Sequence, residues 1–265
     1  MALVNPSRIV NRVGVLGVSL STALVIVALA VAPFLTSGWV AFEQSRTGAA
    51  ALTGYSPADL RAVTDAILGD LVIGPADFDA EVGGSTVLTD SERSHMRDVR
   101  GVFTGFFASA AVALAIIGVA FWLGGRGPGR AGWSRRDAWR GLRSGALGLA
   151  VATIGAGVIA LVAFDAAFEV FHRLFFASGT YRFDPATSRL VQLFPDAFWS
   201  ETSVAVGGVI VVLAAGVAWL ATRRLRASAQ PQVEPSGTEP VEPSGTEPGF
   251  ADPPARPIGE RGPAR

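Results

Sequence analysis

The sequence holds two histidines, His95 and His172, and each has a carboxylate three residues away, Asp98 and Glu169. Residues three apart share a helical face, so either carboxylate could hold a ring nitrogen of its histidine and set the tautomer. Two chemistries suit this quartet. In the first, the imidazoles do acid–base work near neutral pH. One takes a proton from a nucleophile, and the other donates one or stabilises an oxyanion. In the second, His95, Asp98, Glu169 and His172 bind a divalent metal such as zinc, although neither segment has the His-Glu-x-x-His spacing of membrane metalloproteases. The chain has no cysteine, which removes thiol nucleophiles, thiolate metal sites and disulfides. All 22 basic residues are arginine, which removes Schiff-base and Ser-Lys chemistry.

The elements that must position these residues are membrane spans. Half of the 265 residues are hydrophobic and mean hydropathy is +0.41, beyond an ordinary soluble domain. Four uncharged or nearly uncharged runs, 13–35, 102–123, 147–164 and 204–221, are each about long enough to cross a hydrocarbon core as a helix. The first reads as a retained span rather than a cleaved signal peptide, because it exceeds a usual signal core and more spans follow. His95 lies in a charged segment, Thr89–Arg100, just before the second run, and His172 lies just beyond the third. Both histidines therefore fall at one depth on one side, where ionisable groups commonly face the bundle interior.

Arginine placement sets the orientation. Residues 124–143 carry six Arg and one Asp, Arg8 and Arg12 precede the first run, and Arg223, Arg224 and Arg226 follow the fourth. These groups share a side, read as cytoplasmic, and both termini lie there. Residues 36–99 hold ten Asp/Glu against four Arg, and 165–202 hold five against three. These connections face outward and carry the site. The expected fold is all-α and polytopic: a cytoplasmic segment 1–12, a four-helix membrane domain 13–222 with outer loops 36–99 and 165–202, and a disordered cytoplasmic tail 223–265 with the octet Val-Glu-Pro-Ser-Gly-Thr-Glu-Pro repeated at 233–240 and 241–248.

The first outer loop has structure of its own. Ser56-Pro57-Ala58-Asp59 reads as a cap, a proline at the first helical position and an acidic first turn. Leu60, Val63, Ile67, Leu68 and Leu71 follow at helical spacing, giving about four amphipathic turns, either on the membrane surface or packed on the other outer segments. Gly74-Pro75 ends it, Gly83-Gly84 is a turn, and Thr89 or Asp90 caps the helix that carries His95. The second loop is rich in Phe, Tyr and Trp, a composition that suits an interfacial belt or an acyl-chain groove. Arg173 and Arg182 are candidates to meet a phosphate or ester oxygen.

Three segments resemble signatures of one family. Ser91-Glu92-Arg93-Ser94-His95-Met96-Arg97-Asp98-Val99-Arg100 resembles a Ser-Glu-Arg-Glu-x-x-His-Met-x-Asp-Val-Lys signature, with one residue fewer before the histidine. Phe171-His172-Arg173-Leu174-Phe175-Phe176-Ala177-Ser178-Gly179-Thr180-Tyr181-Arg182-Phe183 is similar to Phe-His-x-x-Phe-Phe-x-x-Gly-x-Trp-x-Phe, with Tyr181 where Trp is usual. Phe194-Pro195-Asp196-Ala197-Phe198-Trp199 resembles Phe-Pro-Glu-x-Phe-Trp. The family is that of four-span bacterial membrane proteins including the lipoprotein intramolecular transacylases, and the resemblance covers roughly residues 10–222. It implies an acyltransferase of the bacterial cell membrane whose site faces away from the cytoplasm. The implied substrate is a diacylglyceryl-cysteine lipoprotein, whose sn-2 acyl chain moves to its own N-terminal amine to give the lyso form. It further implies that His95 and His172 are catalytic, with His172 the base and His95 the oxyanion stabiliser or returning acid, or the reverse. Asp98, Arg97, Glu169, Arg173 and Tyr181 are expected to support them. Lipoprotein and membrane lipid are the expected partners, with no cofactor and no nucleic acid. The contrasting expectation is a non-catalytic lipid- or partner-binding protein on the same scaffold.

Overall fold

The computed structural model describes residues 6–126, 133–177 and 179–228, with side chains from residue 10 onward. Four helices in it are long and apolar enough to cross a membrane. The first, α1 (Pro6–Val31), ends in a 3-10 turn, Ala32–Leu35, where Pro33 interrupts the helical ladder. Three short helices follow, α2 (Ser37–Thr47), α3 (Ala49–Thr53) and α4 (Pro57–Val72), and then a two-stranded hairpin, β1 (Glu81–Val82) and β2 (Ser85–Thr86). Gly83 and Gly84 both take positive φ at its turn, which a side chain would resist. The second span is α5 (Asp90–Gly124) and the third α6 (Arg135–Val162). After a break at Ala163 come α7 (Phe164–Phe175), α8 (Arg189–Leu193) and the fourth span, α9 (Asp196–Ala227).

The spanning helices outrun the apolar segments that announce them. α5 and α6 begin twelve residues before their apolar runs, and α9 begins eight before its own. The outer loops 36–99 and 165–202 therefore already contain the first turns of α5 and α9. The segment 223–265 likewise opens as helix, since residues 223–227 complete α9; residues 229–265, with the repeated octet, lie outside the described residues.

Within the bundle α1 and α6 run side by side, and α5 and α9 flank that pair. The close approach is made by glycine. A Cβ on Gly145 would lie 2.2 Å from the Ser19 carbonyl oxygen, and one on Gly141 would lie 2.7 Å from Val18. Small residues let helix backbones meet where lipid gives no hydrophobic drive. Ala30, Ala146, Ala214 and Ala221 fill the rest of the seam at 0% exposure, while Val151, Leu161 and Val162 stand outward on the surface the bilayer covers.

The segments between the spans make a second core at the end of the bundle that carries the histidines. Leu60, Val63, Ile67, Leu68 and Leu71 of α4 pack with Phe78, Leu88, Met96, Leu193 and Phe198. Thus α4 is an amphipathic helix buried against its neighbours. Ser56 caps it by accepting from the Asp59 N–H. Arg100 of α5 donates to the Asp70 and Gly74 carbonyls at its far end. Phe78 sits at φ 52, a conformation costly for a non-glycine residue. Its near-complete burial and the 2.7 Å bond from its N–H to Asp70 Oδ2 hold it there.

Candidate functional site

The two histidines meet. Their rings lie 6.1 Å apart, centroid to centroid, at 25° to each other, and both side chains are buried. His95 comes from the second turn of α5, and His172 from the last turn of α7. The break at Ala163 is what lets α7 leave the line of α6.

A capping box fixes the start of α5: the Thr89 hydroxyl accepts from the Glu92 N–H, and the Glu92 carboxylate accepts from the Thr89 N–H at 2.7 Å. Glu92 is only 1% exposed, and its other oxygen accepts from the Ser188 hydroxyl at 2.5 Å and the Leu190 N–H at 3.0 Å. A buried carboxylate is tolerable when its oxygens are saturated in this way. One side chain thus clamps the His95 helix to α8. Nothing in the sequence reading singled Glu92 out, although the capping-box spacing Thr89-x-x-Glu92 was there to see.

The partners of the histidines differ from those expected. Nδ1 of His172 lies 2.8 Å from the Phe168 carbonyl oxygen, one turn back, rather than against Glu169. A carbonyl carries no proton to give, so Nδ1–H donates and Nε2 of the neutral ring keeps its lone pair. Nδ1 of His95 has no hydrogen-bond partner among the described residues. Asp98 is exposed, and its carboxylate acts on the His95 ring only through space. Arg97 is exposed beside it with no ion pair among the described residues.

Aromatic rings close around the pair. Phe176 and Phe183 stand edge-on to His95 at 4.9 and 5.7 Å. Phe168, Tyr181 and Phe176 lie 4.0, 5.0 and 5.5 Å from His172. The phenylalanines were legible as a belt; their convergence on the imidazoles was not. Glu169 serves a different end. It accepts from Arg182 at 2.6 Å, Arg173 at 2.8 Å and the Tyr181 hydroxyl at 3.3 Å, tying the loop after α7 back onto the helix. Hydrogen bonds from Arg182, then Arg173, hold its carboxyl down to about 2. Both arginines that were candidates for a phosphate or ester oxygen are engaged here.

The metal alternative fails on geometry: among the described residues, no three histidine, aspartate or glutamate side chains converge to hold an ion. What remains is a buried, aromatic-walled pair of imidazoles, one with its tautomer set and one with a nitrogen unpartnered among the described residues. Such a pair can shuttle a proton.

The sequence matches the family model for the lipoprotein intramolecular transacylase Lit over residues 16–199. Among solved structures, the chain is similar to the membrane integral lipoprotein intramolecular transacylase Lit from Bacillus cereus, with a TM-score of 0.66 at 19% identity, over 83% of this chain and 99% of that one. Two variants of that protein, with a histidine replaced by alanine or by arginine, match with TM-scores of 0.65 and 0.63 at the same identity, over 83% of this chain and 96% of each. At this identity the likeness establishes a shared fold. A comparison with curated protein sequences gives no match.

Proposed function

The chain belongs to the lipoprotein intramolecular transacylase Lit family, and from that premise we infer how it acts. It is a multi-pass membrane acyltransferase that moves an acyl chain within a lipoprotein. The substrate is a lipoprotein whose N-terminal cysteine carries a thioether-linked diacylglyceryl group and a free amine. The amine attacks the sn-2 ester carbonyl, a C–N bond forms, the C–O bond to glycerol breaks, and one proton passes from nitrogen to the glycerol oxygen. The product is the N-acylated, S-monoacylglyceryl lyso form.

His172 and His95 divide the proton work. With Nδ1–H committed to Phe168, Nε2 of His172 is the base that accepts the amine proton. His95, 6.1 Å away with Nδ1 unpartnered, stabilises the oxyanion and returns a proton to the leaving oxygen. The single observation that carries this reading is the approach of the only two histidines in the sequence inside one buried aromatic enclosure. The absence of cysteine is no obstacle, because the substrate brings its own nucleophile and the enzyme contributes positioning. Tyr181 and Glu169 act indirectly, by docking the loop that bears Phe183 onto α7. The site faces away from the cytoplasm, a placement supported by the arginine-rich connections and ends on the opposite side.

The test is expression in a bacterial strain whose lipoproteins keep a free diacylglyceryl-cysteine amine, with N-terminal lipopeptides read by mass spectrometry. The unsubstituted protein converts them to the lyso form at unchanged mass, seen as a redistribution of acyl chains between glycerol and amine fragments. His95→Ala and His172→Ala each lower conversion by about a hundredfold or more, the size of a lost general acid or base. Full conversion by both variants would overturn the paired-histidine mechanism. No conversion by the well-expressed parent protein would overturn the function.

A further inference from the structure

A cavity of about 720 Å³ opens between α1 and α6 at the opposite end of the bundle from the histidines. It sits level with Val18, which packs on Ala120 of α5, and His95 lies 25 residues back along that helix, about 37 Å at 1.5 Å per residue. The chemistry at the histidines makes no use of it. Arg12 of α1 and Arg140 of α6 face it from its two walls. Behind them, the Ser19 and Ser144 hydroxyls meet at 2.7 Å.

The charges in the cavity do not cancel. Asp137, its one acidic group, is spent on structure: Oδ2 accepts from the Ser134 N–H and hydroxyl to cap α6, and Oδ1 accepts from Arg140 at 2.9 Å. Arg12 makes no ion pair or hydrogen bond among the described residues. Two guanidiniums against one committed carboxylate leave a net positive, partly enclosed opening. Guanidinium forks suit phosphate oxygens, while the Ser19 and Ser144 hydroxyls are spent on each other and on the Val15 and Arg140 carbonyls. Along the same helices the wall turns apolar. Leu16 is 58% exposed and Leu20 65% on α1, and Val151 is 73% exposed on α6. Free phosphate has no use for such a wall, whereas the acyl chains of a membrane lipid do.

We propose that this cavity binds the phosphate headgroup of an anionic phospholipid, in the leaflet opposite the one that holds the histidines. Basic pockets between spanning helices have this affinity in general, at about fivefold in binding per arginine near the headgroup. The bound lipid bridges α1 and α6 where Gly141 and Gly145 already bring them into contact. The site is separate from the acyl-transfer substrate, and its occupancy does not depend on either histidine.

Native mass spectrometry of the full-length protein in detergent tests it. The probes are phosphatidylglycerol, phosphatidylcholine with the same acyl chains, and inorganic phosphate. One phosphatidylglycerol is retained in preference to phosphatidylcholine, and millimolar inorganic phosphate does not displace it. Arg12→Gln and Arg140→Gln each weaken retention by about fivefold, and the double variant by more. Arg136→Gln, an exposed neighbour outside the cavity, leaves it unchanged. Equal retention of the two lipids by the unsubstituted protein would overturn the proposal without any variant being needed. So would displacement by inorganic phosphate, which would make this a free-anion site, or equal losses in Arg136→Gln and Arg12→Gln.

Discussion

Around the histidines the core is built from large side chains, Phe78, Ile67, Leu193 and Val63, with Glu92, Gln44 and Gln192 buried among them. Between the spans it is built mainly from Ala30, Ala138, Ala146, Ala214 and Ala221, with Val18, Ile26 and Ile210 buried among them and most of the large residues turned outward. The polar groups differ as sharply. Gln44 donates to the Leu193 carbonyl at 3.1 Å and accepts from Thr64 at 3.0 Å, Gln192 donates to the carbonyls of Pro185 and Ala186, and Glu92 accepts four bonds. In the bundle, hydroxyls mostly bond back along their own helices, Thr22 to Val18 and Thr222 to Ala218. The difference follows from the surroundings. The end segments can bury apolar area against water, so they have a hydrophobic drive and use polar bonds to fix a register. The spans have no such drive and hold by fit.

Breaking the polar half has the largest effect. Glu92→Ala leaves the Leu190 N–H and the Ser188 hydroxyl buried without an acceptor and takes the capping partner from the Thr89 N–H, at a cost of about 3 kcal/mol or more. Because Glu92 stands one turn before His95, acyl transfer falls with it. Hydrogen exchange should speed up at residues 89–95 and 188–193 and stay slow through the seam of α1 and α6. Uniform loosening of both regions would mean that they are not separate cores.

Breaking the fitted half is next. Gly145→Ala puts a Cβ against the Ser19 backbone, a contact no rotamer relieves, and should cost about 2 kcal/mol. Gly148, one turn from the close approach, has open space at its Cβ, so Gly148→Ala is neutral or stabilises by up to about 1 kcal/mol through helix propensity. Thermal unfolding in detergent separates them. Equal effects would show that glycine in α6 serves flexibility rather than fit.

This contrast also decides what could be read from the sequence. Four spans, the α4 cap at Ser56, the Gly83-Gly84 turn and a cap at Thr89 are local signals, and each appears where its residues put it. The starts of α6 and α9 were not legible, because a spanning helix continues into the polar end segments, as α6 does from Arg135 and α9 from Asp196, and hydropathy marks only its apolar part; at α5 the cap at Thr89 gave the start that hydropathy did not. At the site, the histidines and their common depth were legible. Their partners were not, because i, i+3 spacing puts Glu169 near His172 without saying which acceptor wins. The Phe168 carbonyl needs no side-chain entropy to reach the ring, and Glu169 has three stronger donors elsewhere.

Those donors give the mildest probe of the polar half, at its exposed edge. Glu169 titrates at about 2 because Arg182 and Arg173 stabilise its charged form, whereas an unfolded or undocked glutamate titrates near 4.3. A carboxylate lowered on folding stabilises the docked loop above the undocked value and loses that contribution as pH falls toward the folded one. Loop docking is therefore flat from pH 8 to about 5 and gives way between about 4 and 2. Tyr181 reports it, since its hydroxyl reaches Glu169 and the chain has only one other tyrosine, Tyr55. With fluorotyrosine in place of both, the Tyr181 resonance should hold steady to about pH 5 and move below about 4, and Glu169→Gln should give the moved position at every pH. Solvent screens these exposed pairs, so the effect on global stability is small, in contrast to the loss from Glu92. A Tyr181 transition centred near 4.3 would mean that the arginines do not hold Glu169, and that the edge of the site is as loosely joined as an ordinary surface loop.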